Sequence, residues 1–427
     1  MGFVALTMGV KMAKKSVRDL AVKGMRVLIR ADLNVPLDGQ RNITNDARIR
    51  KFLPTLKHVV DNGGRAVVMS HLGRPKGDPA ADAKLSLRPV ADRIGALLGA
   101  ECQFTPNITG PEALAASAGL NNGQTLLLEN LRFEPAETVI DKAKNNQNGR
   151  LTPAQEEQRE MFARALSAHA DLYVNDAFGT CHRKHVSMYD VPQLVSRGGR
   201  AVGFLVEKEL KYLGEAVNSP KRPFVAILGG AKVSDKIGVI KNLITKVDSI
   251  LIGGAMTYTF WAAQGRRIGK SLCERDKLDL AKMLIAEAGD KLHLPVDSVA
   301  ATELKAGANP QIIEGDLPDD MMGLDIGPNT FKAFKEIVDQ AGTIVWNGPV
   351  GAFETQPFDT GTFALARAVA AATDSGAVSV IGGGDSAAAV EQIGLADKMT
   401  HISTGGGASL KFLEGKKFDP IEVIDEA

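Results

Sequence analysis

Cysteine is scarce: Cys102, Cys181 and Cys273 are the only three in 427 residues. They lie far apart, without metal-ligand spacing, and an odd count argues against a disulfide scaffold, so a reducing cytoplasm is the expected setting. A surplus of one charge is missing too. Lys and Arg number 51 against 50 Asp and Glu, a net charge of +1 that gives the whole molecule no electrostatic reason to bind nucleic acid or a membrane. No apolar run approaches the roughly 18 residues of a membrane span. The segment Met1 to Lys11 is too short and too weakly apolar for a secretory signal, and it lacks the arginines of a transit peptide. Met12-Ala-Lys-Lys-Ser reads as a second start, and residues 1–11 as a dispensable extension.

What is present is a globular composition, 44% apolar and 24% charged, at a length that suits about two or three domains. Short apolar runs alternate with helical-length segments. In the first half they are Arg26-Val-Leu-Ile-Arg, Ala66-Val-Val-Met-Ser, Thr125-Leu-Leu-Leu-Glu and Asp171-Leu-Tyr-Val-Asn. In the second they are Phe224-Val-Ala-Ile-Leu, Ser249-Ile-Leu-Ile-Gly, Thr343-Ile-Val-Trp-Asn and Val378-Ser-Val-Ile-Gly. Runs that are apolar on both faces suit parallel strands covered by helices, and their alternation with helices predicts an α/β protein. Ligands of such sheets bind at the carboxyl ends of the strands. The join between halves falls at Ser196-Arg-Gly-Gly-Arg, and a charged connecting helix follows from Val206. Asp141 to Gln158 is polar and reads as a surface excursion without a catalytic role, with Thr152-Pro153 starting a helix.

The halves carry different chemistry. After residue 225 the strands end in glycines. Leu228-Gly-Gly-Ala-Lys-Val-Ser-Asp-Lys follows a strand and opens a helix, which predicts Lys232 and Lys236 on one helical face beside a phosphate. Ile381-Gly-Gly-Gly-Asp-Ser offers bare N–H groups at Gly383 and Gly384, the Ser386 hydroxyl, and in Asp385 a carboxylate suited to magnesium on phosphate oxygens. Trp346-Asn-Gly-Pro-Val-Gly adds another glycine turn, with Glu354 available for ribose hydroxyls, and His401-Ile-Ser-Thr-Gly-Gly-Gly a further one. Gly265-Arg-Arg-Ile-Gly-Lys-Ser imitates a Walker loop but has the wrong glycine spacing and no preceding strand.

Before residue 190 the strand ends carry cations instead. Arg30-Ala-Asp-Leu-Asn-Val-Pro, Ser70-His-Leu-Gly-Arg-Pro, Glu129-Asn-Leu-Arg and Asn175-Asp-Ala-Phe-Gly-Thr-Cys-His-Arg-Lys-His follow successive strands. Arginine forks bind phosphate and carboxylate bidentately, and Asp32 and Asn34 suit a substrate hydroxyl. Two anion-binding tools in separate halves point to phosphoryl transfer. Three other readings remain: a nicotinamide oxidoreductase using the G-x-G-x-x-A match at Gly382, a non-catalytic nucleotide-binding regulator, and a metal site at Cys181, His182 and His185.

Through these motifs, together with Gly-Leu-Asp-Ile-Gly-Pro, the chain resembles the phosphoglycerate kinase family from about Met12 to Gly415. The resemblance implies two Rossmann-like domains with parallel β-sheets flanked by helices, facing each other across a cleft. Residues 12–198 would bind 3-phosphoglycerate and residues 199–409 the nucleotide, with the tail 410–427 packing back on the first. It implies glycolytic transfer between 1,3-bisphosphoglycerate and ADP by a cytoplasmic monomer using magnesium with ATP or ADP. Arg48 and Lys232 become catalytic, with Arg48 at the moving phosphoryl. Asp32, Leu33 and Asn34 lie at the glycerate, while His71, Leu72, Gly73, Arg74, Arg132 and Arg183 surround the distal phosphate. Lys236, Gly383, Gly384, Asp385 and Ser386 take the nucleotide phosphates, Asp385 holds magnesium, and Gly327 and Glu354 line the adenosine pocket. The chain departs from the family in its long 141–158 stretch, in Cys181, Lys184 and Lys411, and in a tail lacking Leu-Pro-Gly.

Overall fold

The computed structural model describes residues 14–146 and 148–427; the expectation for residues 1–11 lies outside them. The chain divides into two compact units, one running to Leu210 and taking in Lys417–Ala427, the other Lys211–Lys416.

In the first unit β1 (Arg26–Ala31), β2 (Arg65–Met69), β3 (Cys102–Phe104), β4 (Thr125–Leu127), β5 (Leu172–Asp176) and β6 (Arg200–Val202) form one sheet in the order β3-β4-β2-β1-β5-β6. All pairings are parallel. β1, β2 and β5 are buried almost throughout, as strands covered on both faces must be. Helix Ala47–Asp61 covers one face through Ile49, Phe52, Leu53, Leu56 and Val59, an apolar stripe at helical spacing. The chain order reverses beside β1, so the carboxyl ends of β2, β1 and β5 border the crevice where such sheets bind ligands.

The second unit repeats the plan. β7 (Phe224–Leu228), β8 (Ser249–Ile252) and β9 (Leu292–His293) run one way from the centre; β13 (Thr343–Asn347), β14 (Val378–Gly382) and β15 (His401–Ile402) run the other, in the order β15-β14-β13-β7-β8-β9. Its reversal point lies between β7 and β13. A second sheet, β11-β10-β12, is antiparallel: β10 (Asp297–Ala301), β11 (Gln311–Glu314) and β12 (Met322–Ile326). The fold is therefore α/β, with two parallel sheets of six strands flanked by helices.

Every apolar run read from the sequence is a strand. Seven of the described strands were not anticipated: β3 and β6 have three residues each and β9 and β15 two, β11 reads Gln-Ile-Ile-Glu with no buried position, and β10 (Asp-Ser-Val-Ala-Ala) and β12 (Met-Gly-Leu-Asp-Ile), though largely buried, interrupt their apolar residues with polar or small ones.

The structure adds detail at three places read from the sequence. At 196–200, Arg200 opens β6 and pairs with Asp425 at 2.8 Å, while Gly198 N–H donates to the same carboxylate at 2.7 Å. The two compact units divide within helix Phe204–Asn218. In the polar stretch from Asp141 the helix starts at Thr152-Pro153 as expected, Pro153–Ser167 on a Thr152–Gln155 capping box, and the stretch opens within a 3-10 segment, Pro135–Asn145. Lys232 and Lys236 do not share a helical face, since the helix behind them is Ile237–Ile244 and Lys236 is its N-cap.

Candidate functional site

In the first unit the site is assembled by hydrogen bonds that tie strand ends together. Ser70 Oγ accepts from Leu33 N–H at 2.9 Å and donates to the Ala31 carbonyl at 2.7 Å, stitching the loops after β1 and β2. Asn34 Oδ1 accepts from Gly73 N–H at 2.8 Å. Buried Asn130 accepts from the N–H groups of Leu72 and Arg132, both at 3.1 Å, and donates to the Leu72 carbonyl at 2.8 Å. Arg132 Nη1 donates to the Gly73 carbonyl at 2.6 Å. Arg48, in the first turn of its helix, pairs with Asp32. Asp32, Leu33, Asn34, Arg48, His71, Leu72, Gly73 and Arg132 thus belong to one connected cluster; Leu33 and Leu72 are buried and contribute backbone rather than side chain.

Cations outnumber carboxylates in the cluster, where Asp32 pairs with Arg48 and Asp141 lies 3.8 Å from Arg183. Burial, then the charges of Arg30, Arg183 and, more weakly, Arg74, push the Arg132 guanidinium down to about 10. Arg74 makes no hydrogen bond or ion pair among the described residues. Arg183 Nε donates to His182 Nε2 at 3.1 Å, and its Nη1 lies 3.8 Å from Asp141. His71 is almost fully buried, and its imidazolium is disfavoured by that burial and by Arg30, Arg132, His185 and Arg48.

Sequence reasoning missed what Arg30 does. It is completely buried, its Nε donating to Ser187 Oγ at 3.0 Å and its Nη1 to the Ala31 carbonyl. Ser187 is held in turn by buried Glu137 at 2.6 Å. A completely buried arginine breaks the usual preference for exposure, and only the apolar run around it hinted at that.

In the second unit the glycines allow backbone to approach backbone at the reversal point. A Cβ on Gly229 would lie 2.0 Å from the Pro349 carbonyl oxygen, and one on Gly348 2.2 Å from the Gly229 oxygen. Helix starts here differ in availability. Asp297 accepts from Asn329 N–H at 2.9 Å and Thr330 N–H at 2.8 Å, sealing helix Pro328–Asp339, whose N-cap is Gly327. Asp325 accepts from Gly361 N–H at 2.6 Å, sealing helix Thr360–Asp374; burial pushes that carboxyl up to about 8. Helix Gly384–Gln392 begins instead on Gly383, at φ 90°, with no side-chain cap. Its open N–H groups and dipole can receive an anion.

Around that helix start the side chains converge. Ser386 Oγ accepts from Gly348 N–H at 2.6 Å. Lys236 donates to Asn347 Oδ1; burial lowers its ammonium, offset in part by Asp235 and Asp385. Asn347 Nδ2 is buried with no hydrogen-bond partner among the described residues, and it faces Gly382 and Gly383. A buried donor left unpaired costs about 1–3 kcal/mol unless a ligand accepts from it. Asn347 is the residue sequence reading passed over, hidden inside a glycine turn. Lys232 stays exposed in the preceding loop. Glu354 is exposed, on a loop drawn to β12 by Ala352 N–H donating to the Leu324 carbonyl at 2.8 Å, and Gly327 follows the end of that strand.

Other candidates do not assemble. Gly265 follows a helix, Met256–Ala263, not a strand. No group of three or more His, Cys, Asp or Glu with metal-binding proximity occurs among the described residues, and burial pushes the Cys181 thiol up.

A family model described as Phosphoglycerate kinase matches residues 17–416. The phosphoglycerate kinases of Rhodopirellula baltica and Lactobacillus acidophilus are each 51% identical over 419 residues, 97% of this chain and 100% of theirs. Among solved structures, phosphoglycerate kinase from Coxiella burnetii matches with a TM-score of 0.84 at 38% identity, covering 96% of this chain and 98% of that one. The enzyme from Pyrococcus horikoshii matches over the same shares with a TM-score of 0.77 at 29% identity.

Proposed function

We propose how the residues divide the work, starting from the fact that the chain belongs to the phosphoglycerate kinase family. It catalyses phosphoryl exchange between 1,3-bisphosphoglycerate and ADP, giving 3-phosphoglycerate and ATP. In our reading the first unit binds the glycerate ligand and the second the nucleotide. The observation that carries this is the contrast between a cluster in which arginines outnumber carboxylates and a helix start left open beside the buried Asn347 Nδ2, a donor without a partner among the described residues.

Arg74, Arg132, Arg183 and the His71 imidazole hold the distal phosphate, and Asp32 and Asn34 orient the glycerate. Arg48 is poised beside Asp32 to meet the moving phosphoryl. Gly383, Gly384, Ser386, Lys236 and Asn347 receive the nucleotide phosphates; Gly327 and Glu354 line the adenosine end. Lys232, exposed in its loop, has the reach to follow the transferring group. Magnesium fits here as a nucleotide-borne ion: Asp385 is exposed at the open helix start with no ion pair among the described residues, and one or two carboxylates suffice when phosphates and water supply the rest. When bound it would neutralise phosphate oxygens.

No general base is needed. In the direction of ATP use, a carboxylate oxygen of 3-phosphoglycerate forms the new P–O bond while the bond to the β-phosphate bridging oxygen breaks, leaving ADP. Both attacking and leaving oxygens are already ionised, so catalysis consists of in-line positioning and charge neutralisation. Water must be kept out, which calls for closure once both substrates are bound. We read the chain as a cytoplasmic monomer with small-molecule partners only; its net charge of +1 offers no surplus to draw nucleic acid or a membrane, and no described helix is long and apolar enough to cross a membrane.

A coupled assay of ATP-dependent 3-phosphoglycerate phosphorylation tests this reading of the site. Activity in the parent chain that survives both Arg132→Ala and Lys236→Ala undiminished would remove it.

A further inference from the structure

We propose that Asp141 is an affinity-setting residue, a carboxylate placed against Arg183 so that the site holds its phosphate ligand less tightly than its cations alone would. The proposal rests on the reading of Arg183 as a phosphate contact.

Asp141 belongs to the 3-10 segment Pro135–Asn145, whose Ala136, Glu137 and Val139 are buried, so its backbone is fixed. Its Oδ2 lies 3.4 Å from His185 Nε2 and 3.8 Å from Arg183 Nη1. The first separation holds the carboxylate in place. The second is too long for a good hydrogen bond but short enough for strong charge interaction. Asp141 and Arg183 side chains are 47% and 41% exposed, open to solvent and to an incoming ligand.

Arg183 is fixed as well. Its Nε donates to His182 Nε2 at 3.1 Å, the next residue Lys184 pairs with Asp419 at 2.9 Å, and His185 is buried. The fork therefore cannot leave Asp141 by swinging the loop away. A phosphate on Arg183 must sit with a carboxylate nearby. The hydrogen bond from His185, then the charges of Arg183 and Lys144, hold the Asp141 carboxyl below its ordinary range, so it is ionised and the repulsion persists at neutral pH.

A charge several ångströms away, partly screened by water and salt, changes affinity by about three- to tenfold. The role differs from that of a structural ion pair in its sign: removing the carboxylate should improve binding. Glycolytic turnover gains from this, because a ligand held too firmly limits release.

Calorimetric titration of 3-phosphoglycerate into the full chain at low salt, with Asp141→Asn, Arg183→Ala and the double variant, decides the matter. Asp141→Asn should tighten binding about three- to tenfold, Asp141→Glu should stay near the parent, and the gain should vanish in the Arg183→Ala background. Unchanged or weaker binding in Asp141→Asn, with Arg183→Ala still weakened, would overturn the proposal and leave the substrate-site reading intact. An equal gain in both backgrounds would overturn it too, since the effect would not pass through Arg183. Parent-like affinity in Arg183→Ala would remove the phosphate-contact reading and the proposal with it.

Discussion

Arg30 and His71 form a buried pair at the carboxyl edge of the first sheet, with Arg30 Nη2 donating to His71 Nδ1 across 3.2 Å. A guanidinium can only donate, so Nδ1 must accept. Burial and the surrounding arginines keep the imidazole neutral, its proton loss lying well below the ordinary histidine range. The ring's hydrogen is then on Nε2. In the proposed site His71 would therefore offer its ligand a hydrogen bond rather than a charge.

Nitrogen NMR of the His71 ring should therefore show one neutral tautomer, protonated at Nε2, from about pH 5.5 to 8. A titration midpoint near the ordinary 6.5 would contradict the pairing.

Arg48→Ala should lower kcat by about 10³-fold or more while changing nucleotide affinity little, because the charge is needed as the phosphoryl moves. Steady-state kinetics with both substrates varied gives the answer. Near-normal kcat would release Arg48 from its role.

Gly229→Ala should destabilise the second unit by more than about 2 kcal/mol, since the added Cβ would lie 2.0 Å from a backbone oxygen that cannot move aside. Urea denaturation measures this. Parent-like stability would mean the approach of Gly229 to Pro349 is looser than described.

The two parallel sheets were legible because both-face burial makes their strands read as continuous apolar runs. The arginine cluster was legible in outline for the same reason, since each cation follows such a run. What stayed hidden depends on partners distant in sequence. Nothing local marks Asn347 as a buried donor without an acceptor, or Arg30 as a strut rather than a ligand contact. The lysine pair was misplaced because Val233 to Lys236 have helix-compatible residues, yet the helix begins only at Ile237. Asp141 read as surface because its consequence lies in the distant Arg183 and His185.

Acid sensitivity should trace in part to His169, which is fully buried and shifted from 6.5 to about 4 by loss of solvent. The unfolded chain takes up that proton first as pH falls. Its contribution is therefore complete above pH 6.5 and lost progressively toward pH 4, by up to about 3 kcal/mol. Denaturation at about pH 7.5 and about pH 4.5 should show a smaller loss in His169→Gln than in the parent. Equal losses would exclude this source.

The central claim is that arginine forks in one unit and an open helix start in the other bind different anions. Titrating 3-phosphoglycerate and magnesium-ADP separately into Arg132→Ala, Lys236→Ala and Asp385→Ala tests it most directly. Arg132→Ala should weaken 3-phosphoglycerate by about tenfold to a hundredfold and leave the nucleotide unchanged; the other two should do the reverse. Comparable loss of both ligands in all three variants would contradict the division.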